Sequence, residues 1–266
     1  MLYEKIMLDE SDENAYLTAY VADKIPGFTR KAILVIPGGG YGNVCTDREG
    51  EPIAQAFIPY GYNAFVLSYS TAKTSKNVFP SQLIQASLAI NHIKDNAEEY
   101  GIDPDKVFAV GFSAGGHLTA CLGSLWDLPE IYEKTNIPYG YNKPAGTMLI
   151  YPVINGHMGS FKNLFGTDAP TDEQLELVSI NKQISEKSSP IFMVHSSNDQ
   201  IVSVKNTLSL AEACAEKGIT FELHVYPDAP HGVALGNKIT MCGNAKYNYP
   251  AMSKWVAQAA EWADSI

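Results

Sequence analysis

Cysteine is scarce in this chain, and the four present, Cys45, Cys121, Cys214 and Cys242, lie far apart with no C-x-x-C pair among them. That spacing excludes the usual zinc-binding pattern and a disulfide framework, so no metal is expected and a reducing, cytoplasmic setting fits best. Basic side chains are also in short supply: 19 Lys and Arg face 29 Asp and Glu, a formal net charge of −10. A chain of that sign is repelled by phosphate backbones and anionic lipid, which argues against nucleic acid and membrane surfaces as partners. No apolar run approaches the ~18 residues of a membrane span. The start, Met1 to Asn14, carries Glu4, Asp9, Glu10, Asp12 and Glu13 rather than the basic start and apolar stretch of a secretory signal.

The chain does have enough length and apolar content for a sizeable core. Its 266 residues, 45% hydrophobic, fall between one and two domains at ~150 residues each. Short, continuous apolar runs recur at 32–36, 64–67, 107–110, 147–150 and 191–194, as in strands buried on both faces. Helical spacing fills the intervals Pro52 to Tyr60, Pro80 to Tyr100, His117 to Leu125, Val204 to Lys217 and Ala251 to Ala263. Alternation of this kind predicts an α/β protein with a mostly parallel sheet covered by helices on both faces. Tyr16 to Val21 alternates like an antiparallel edge strand, and Thr220 to Tyr226 is the last strand candidate. Asp127 to Pro190 is weakly patterned apart from its one strand, with a short helix expected near Leu175 to Ile180. Such a segment reads as a cleft wall or as missed helices, so a single domain spanning 1–266 is expected.

The strongest local signal is Gly111-Phe112-Ser113-Ala114-Gly115, a G-x-S-x-G placed directly after a buried strand and before a helix. A serine on so tight a turn needs neighbours without bulk, and its backbone lies where helix N–H groups favour negative charge. The bland alternative is a Gly/Ser turn that caps a helix. A second glycine cluster, Pro37-Gly-Gly-Gly-Tyr-Gly42, follows the strand at 32–36. A dinucleotide fingerprint fails because position 43 is Asn and no acidic residue follows the second strand; a phosphate loop fails for want of Gly-Lys-Ser/Thr. The remaining chemical reading is a loop whose N–H groups hold an oxyanion.

A nucleophilic serine needs a base, and the base a carboxylate to fix its tautomer. Of six histidines, His92 is mid-helix, His224 is within a strand, and His157 lies in the irregular stretch with no evident partner. His117 rides the helix after Ser113, where local packing is expected, and His195 ends a strand, where it would brace the next loop. His231 follows the last strand, in a loop at the carboxyl end of the sheet, where a base could reach Ser113. Asp199, in the loop after the preceding strand, is the favoured acid, and Asp228, three residues before His231, is its rival. The order Ser113, Asp199, His231 is that of one fold in particular.

Together, Pro37-Gly-Gly-Gly-Tyr41, Arg48-Glu49, Gly111 to His117, Asn198-Asp199 and Pro230-His231-Gly232 resemble the α/β-hydrolase superfamily. Within it they look like the small acetyl esterases and acetylxylan esterases related to the hormone-sensitive-lipase and prolyl-oligopeptidase-like branches, over roughly residues 30 to 264. The resemblance implies an α/β-hydrolase fold of about eight strands with no large cap domain. It implies Ser113, Asp199 and His231 as a triad, with Gly39, Gly40 and Ala114 as oxyanion donors and Tyr41 as a further donor or substrate contact. Pro37 stands where many relatives carry histidine, and proline would stiffen the turn. No metal or organic cofactor is implied. The expected substrate is a small-molecule ester with a short acyl group, acetyl foremost, on a carbohydrate such as an acetylated oligosaccharide or on another small alcohol. With 15 Tyr and 3 Trp, rings that stack on sugars are available, and Trp126, Tyr132, Tyr139 and Tyr141 are the ones singled out, although most such rings serve packing. An arylformamidase or a prolyl-oligopeptidase-type amide hydrolase would use the same machinery. A catalytically silent ligand-binding protein is the non-enzyme alternative, against which the complete Ser, Asp and His set argues. Assembly into a homo-oligomer is left open.

Overall fold

The computed structural model describes residues 1–8, 12–76 and 78–266; Asp9 and Glu10 of the acidic start lie outside the described residues. The strands are β1 (Leu2–Met7), β2 (Tyr16–Val21), β3 (Arg30–Ile36), β4 (Tyr62–Ser68), β5 (Ile102–Phe112), β6 (Thr147–Ile150), β7 (Ile191–Ser196) and β8 (Phe221–Tyr226). The helices are α1 (Thr46–Glu49), α2 (Glu51–Phe57), α3 (Ser81–Asp95), α4 (Ala97–Tyr100), α5 (Ala114–Ser124) and α6 (Pro129–Lys134). They continue with α7 (Met158–Phe165), α8 (Asp172–Val178), α9 (Ile180–Gln183), α10 (Lys205–Lys217) and α11 (Trp255–Ser265).

Among the described residues, the eight strands form one open sheet in the order β1-β2-β4-β3-β5-β6-β7-β8. β1 and β2 pair antiparallel, β2 joins β4 antiparallel, and every pair from β4 to β8 is parallel. The expected edge strand at Tyr16–Val21 therefore lies one place inside the edge, which β1 occupies. β1 escapes the apolar-run criterion because it is nearly all exposed and is held by its ladder to β2 rather than by burial.

The central strands, by contrast, are buried on both faces, as their unbroken apolar runs require. Leu34, Ala109, Leu149 and Met193 face a core with α3, α5 and α10; Ile33, Val110, Ile150 and Phe192 face another with α2 and α11. This α/β-hydrolase arrangement puts the carboxyl ends of β3, β5, β7 and β8 at one edge, where β3 pairs with β5 up to Ile36 and Gly111.

The segment 127–190 is more regular than its composition suggests, holding α6, β6, α7, α8 and α9. The helix expected near Leu175–Ile180 is α8, opened by a Thr171–Gln174 capping box.

Candidate active site

Ser113 sits between β5 and α5 with φ +52° and ψ −117°, in backbone geometry that costs about 1–3 kcal/mol for a residue with a side chain. Its surroundings hold it there. The Ser113 N–H donates to Ile150 O at 3.0 Å, and its carbonyl accepts from Val153 N–H at 3.0 Å and His117 N–H at 3.1 Å. The flanking glycines are steric necessities. A Cβ at Gly111 would stand 2.1 Å from Thr119 Oγ1, and one at Gly115 would stand 2.2 Å from Ile36 O. α5 can thus press against the end of β3, bringing Ser113 beside the glycine loop.

Three loops converge on the serine. His231, from the loop after β8, has Nε2 at 2.9 Å from Ser113 Oγ and Nδ1 at 2.7 Å from Asp199 Oδ2. Asp199, from the loop after β7, has a buried carboxylate whose Oδ1 accepts the Ile201 and Val202 N–H groups at 2.9 Å each. Its Oδ2 also lies 3.4 Å from His195 Nε2, which is itself 2.9 Å from Val202 O. Burial alone would raise the Asp199 pKa; hydrogen bonding from His195 and His231 outweighs it and holds the carboxyl well below its ordinary range. The rival Asp228 is exposed and accepts from Asn198 Nδ2 at 2.9 Å rather than from His231. His195 and His117 are engaged locally, His117 with Nδ1 2.7 Å from Tyr41 Oη and Nε2 2.8 Å from Val178 O. Burial pushes the His117 imidazole down to about 4, so it stays neutral.

The glycine loop follows β3. Gly39 takes φ +129° and Gly40 φ +63°, and a Cβ at Gly39 would lie 2.1 Å from Asn43 O. Among the described residues, the N–H groups of Gly39 and Gly40 find no acceptor. Pro37 is anchored through its carbonyl, which accepts from Tyr69 Oη at 2.8 Å; Gly38 N–H donates to Glu49 Oε2 at 2.9 Å; and Gly40 O accepts from Asn163 Nδ2 at 2.9 Å. Glu49 is buried, and burial raises its pKa against the lowering pull of Gly38 N–H, Arg48 and Tyr151. Tyr151 donates to Glu49 Oε1 at 2.9 Å, accepts from Ala234 N–H at 3.0 Å, and sets its ring 4.9 Å from the His231 ring. One tyrosine thereby ties the glycine loop to the histidine loop.

A cavity of about 210 Å³ opens over Ser113, walled by Gly39, Gly40, Arg48, His157, Ser160, Ile201 and His231. His157 was without an evident partner in the sequence; folding makes it the N-cap of α7 and a wall of this cavity. Burial, then the nearby His231, lower its pKa. Glu49, Tyr151, His157 and Ser160 carry no sequence motif of their own, and only the Arg48-Glu49 pair pointed here.

Two sequence expectations are corrected. Tyr41 is buried and its phenol is spent on His117, so its side chain is no substrate contact or oxyanion donor. Trp126 lies beyond the far end of α5, about 16 Å of helix from the elbow, donating to Lys187 O at 3.1 Å and stacking edgewise on Tyr139 at 5.3 Å. Tyr132 and Tyr139 share that remote cluster. Within 127–190, α7 reaches the cavity through His157 and Ser160, while α6 packs against α3.

A family model, BD-FAE, matches residues 20–214. The chain belongs to the BD-FAE family. A second model, the dienelactone hydrolase family, matches residues 165–265. Beyond this BD-FAE match, the chain is 38% identical over 215 residues to an endo-1,4-beta-xylanase B from Butyrivibrio fibrisolvens, covering 78% of this chain and 33% of that protein. It is 26% identical over 242 residues to an acetylxylan esterase from Xylanibacter ruminicola, covering 88% of this chain and 47% of that one. The chain thus spans a third to a half of the length of these curated relatives. Among solved structures, an acetyl ester-xyloside bifunctional hydrolase from Caldicellulosiruptor lactoaceticus superposes with a TM-score of 0.81 at 29% identity, over 98% and 96% of the two chains. The carboxylesterase Cest-2923 from Lactobacillus plantarum superposes with a TM-score of 0.85 at 25% identity, over 100% and 98%. This BD-FAE member is an esterase-like α/β hydrolase. Among the described residues, no helix is long and apolar enough to cross a membrane.

Proposed function

We propose that the chain is a serine esterase that removes short acyl groups, acetyl foremost, from carbohydrate alcohols through an acyl-enzyme. The observation that carries this reading is the relay Ser113 Oγ, His231 Nε2, His231 Nδ1, Asp199 Oδ2, with separations of 2.9 and 2.7 Å, opening on a cavity of about 210 Å³. His231 Nε2 takes the Ser113 proton as Oγ bonds to the ester carbonyl carbon. The carbonyl oxygen becomes an oxyanion, which the N–H groups of Gly39, Gly40 and Ala114 receive; a single such donor is worth about 10²–10³ in rate. Asp199 stays ionised and stabilises the imidazolium. The carbon–oxygen bond to the alcohol then breaks, with the proton passing from Nε2 to the leaving oxygen. Water repeats the sequence, releasing the acid and restoring Oγ–H.

The small cavity favours a short acyl chain. An acetylxylan esterase and an acetyl ester-xyloside bifunctional hydrolase among the relatives support an acetylated sugar as the substrate. A single sheet supplies every loop of the site, which supports reading 1–266 as one domain. Four unbridged thiols fit a reducing, cytoplasmic compartment. The test is a series of p-nitrophenyl esters from acetate to octanoate with Ser113→Ala as control. kcat/KM should be highest for acetate or propionate, and a rate that climbs with chain length would overturn the short-acyl reading.

A further inference from the structure

Two cavities meet at His231. The smaller is the one over Ser113, and the larger, of about 690 Å³, is bounded by residues 198–201 after β7, 228–231 after β8 and the turn 245–249. Ile201 and His231 line both. Because the leaving oxygen takes its proton from His231 Nε2, the alcohol must lie on the His231 side of the serine, away from the glycine loop. An alcohol too large for the small cavity continues over Ile201 into the larger one, whose volume falls within the roughly 300–1,000 Å³ of small-molecule sites.

We infer that this larger cavity is a glycosyl subsite, holding the sugar rings of the leaving alcohol; the inference rests on Ser113 being the nucleophile. Its walls carry planar amides, a carboxylate and phenols: Asn198, Gln200, Asp228, Tyr247, Asn248 and Tyr249. Three of these are pre-ordered. Gln200 Nε2 donates to Asn198 Oδ1 at 2.7 Å, and Asn198 Nδ2 donates to Asp228 Oδ1 at 2.9 Å. Gln200 Oε1 and Asp228 Oδ2 take no bond from the described residues, so two acceptors remain for hydroxyl groups. An alkyl alcohol would cover them without supplying a donor, whereas a sugar brings the missing hydroxyl donors. The half-buried Tyr247 ring is held by the Arg48 guanidinium, 5.5 Å from its centroid, and the Lys246 ammonium at 4.8 Å. Arg48 also lines the small cavity, so the turn is docked against the reaction centre itself. Tyr247 and Tyr249 thus supply, beside His231, the amphipathic rings that Trp126 does not.

The test compares acetylated xylotriose with p-nitrophenyl acetate, whose alcohol is a single small ring. Tyr247→Ala and Gln200→Ala, on two different loops, should each lower the ratio of the two kcat/KM values at least about fivefold, and Tyr247→Phe should stay within about twofold of wild type. Turnover of p-nitrophenyl acetate by the same variants reports that they fold. Calorimetry of unacetylated xylotriose on the Ser113→Ala protein reads the cavity without catalysis, and adding Tyr247→Ala should weaken that binding by a similar factor. A selectivity ratio that does not move in either variant, or xylotriose that fails to bind at millimolar concentration, overturns the subsite. Xylotriose binding without any p-nitrophenyl acetate turnover would count against the serine reading instead.

Discussion

Tyr151 Oη donates to Glu49 Oε1 at 2.9 Å, inside the protein, and this bond links the glycine loop to the segment that follows His231. The other Glu49 oxygen accepts from Gly38 N–H, and Tyr151 Oη accepts from Ala234 N–H. Both carboxylate oxygens therefore act as acceptors. Glutamine has the same shape but only one acceptor oxygen, and its NH₂ would face a donor. Glu49→Gln is predicted to cost about 1–3 kcal/mol of stability and, if the glycine loop receives the oxyanion as proposed, to lower kcat about tenfold with KM little changed. Thermal denaturation and steady-state kinetics on p-nitrophenyl acetate check it.

Asp199, not Asp228, lies within hydrogen-bonding distance of His231. Asp199→Asn removes the group that fixes the His231 tautomer and should cost about 10⁴ in kcat. Asp228→Asn, which alters only an exposed contact to Asn198, should cost p-nitrophenyl acetate turnover less than about tenfold. A pH effect accompanies the first variant. The folded-state pKa of Asp199 is depressed from its ordinary 3.8, so its stabilisation is present above that value and is lost as pH falls below it. Urea midpoints for wild type and Asp199→Asn should differ fully above about pH 5 and draw together as pH falls below about 4. Glu49 has the opposite sign, its raised pKa making burial least costly once it is protonated.

His157 forms part of the wall of the small cavity over Ser113. Removing its ring in His157→Ala enlarges a space of about 210 Å³, so the preferred p-nitrophenyl ester should lengthen from acetate toward butyrate. The chain-length profile measures this directly, with the ratio of butyrate to acetate kcat/KM rising about fivefold or more.

Gly115 is required by packing against the strand end. In Gly115→Ala the new Cβ would meet Ile36 O at 2.2 Å and Pro37 O at 2.3 Å, both backbone atoms that cannot swing aside. A destabilisation of about 1–3 kcal/mol is expected, several degrees in Tm by differential scanning calorimetry, together with a fall in kcat as the glycine loop is pushed away from Ser113.

What could be read from the sequence had a local cause. The strands of the sheet centre are continuous apolar runs because both faces are covered, and the serine elbow announces itself through glycines that a two-residue spacing makes obligatory. Features made by chain crossing left no such mark. β1 is a strand through pairing alone, His157 gains its place from α7 folding over the cavity, and Tyr151 becomes a link only when Glu49 and Ala234 arrive from distant segments. Aromatic content misled in one respect: the Trp126 cluster is rich in rings but sits at the wrong end of α5, while Tyr247 and Tyr249 border His231 from an irregular stretch without periodicity.

Mass spectrometry of the folded protein after treatment with a fluorophosphonate probe tests the central claim most directly. One covalent adduct, mapped to the peptide containing Ser113 and lost in Ser113→Ala and in denatured protein, is the predicted result. Folded, esterase-active protein that carries no adduct, or carries it on another residue, would contradict it.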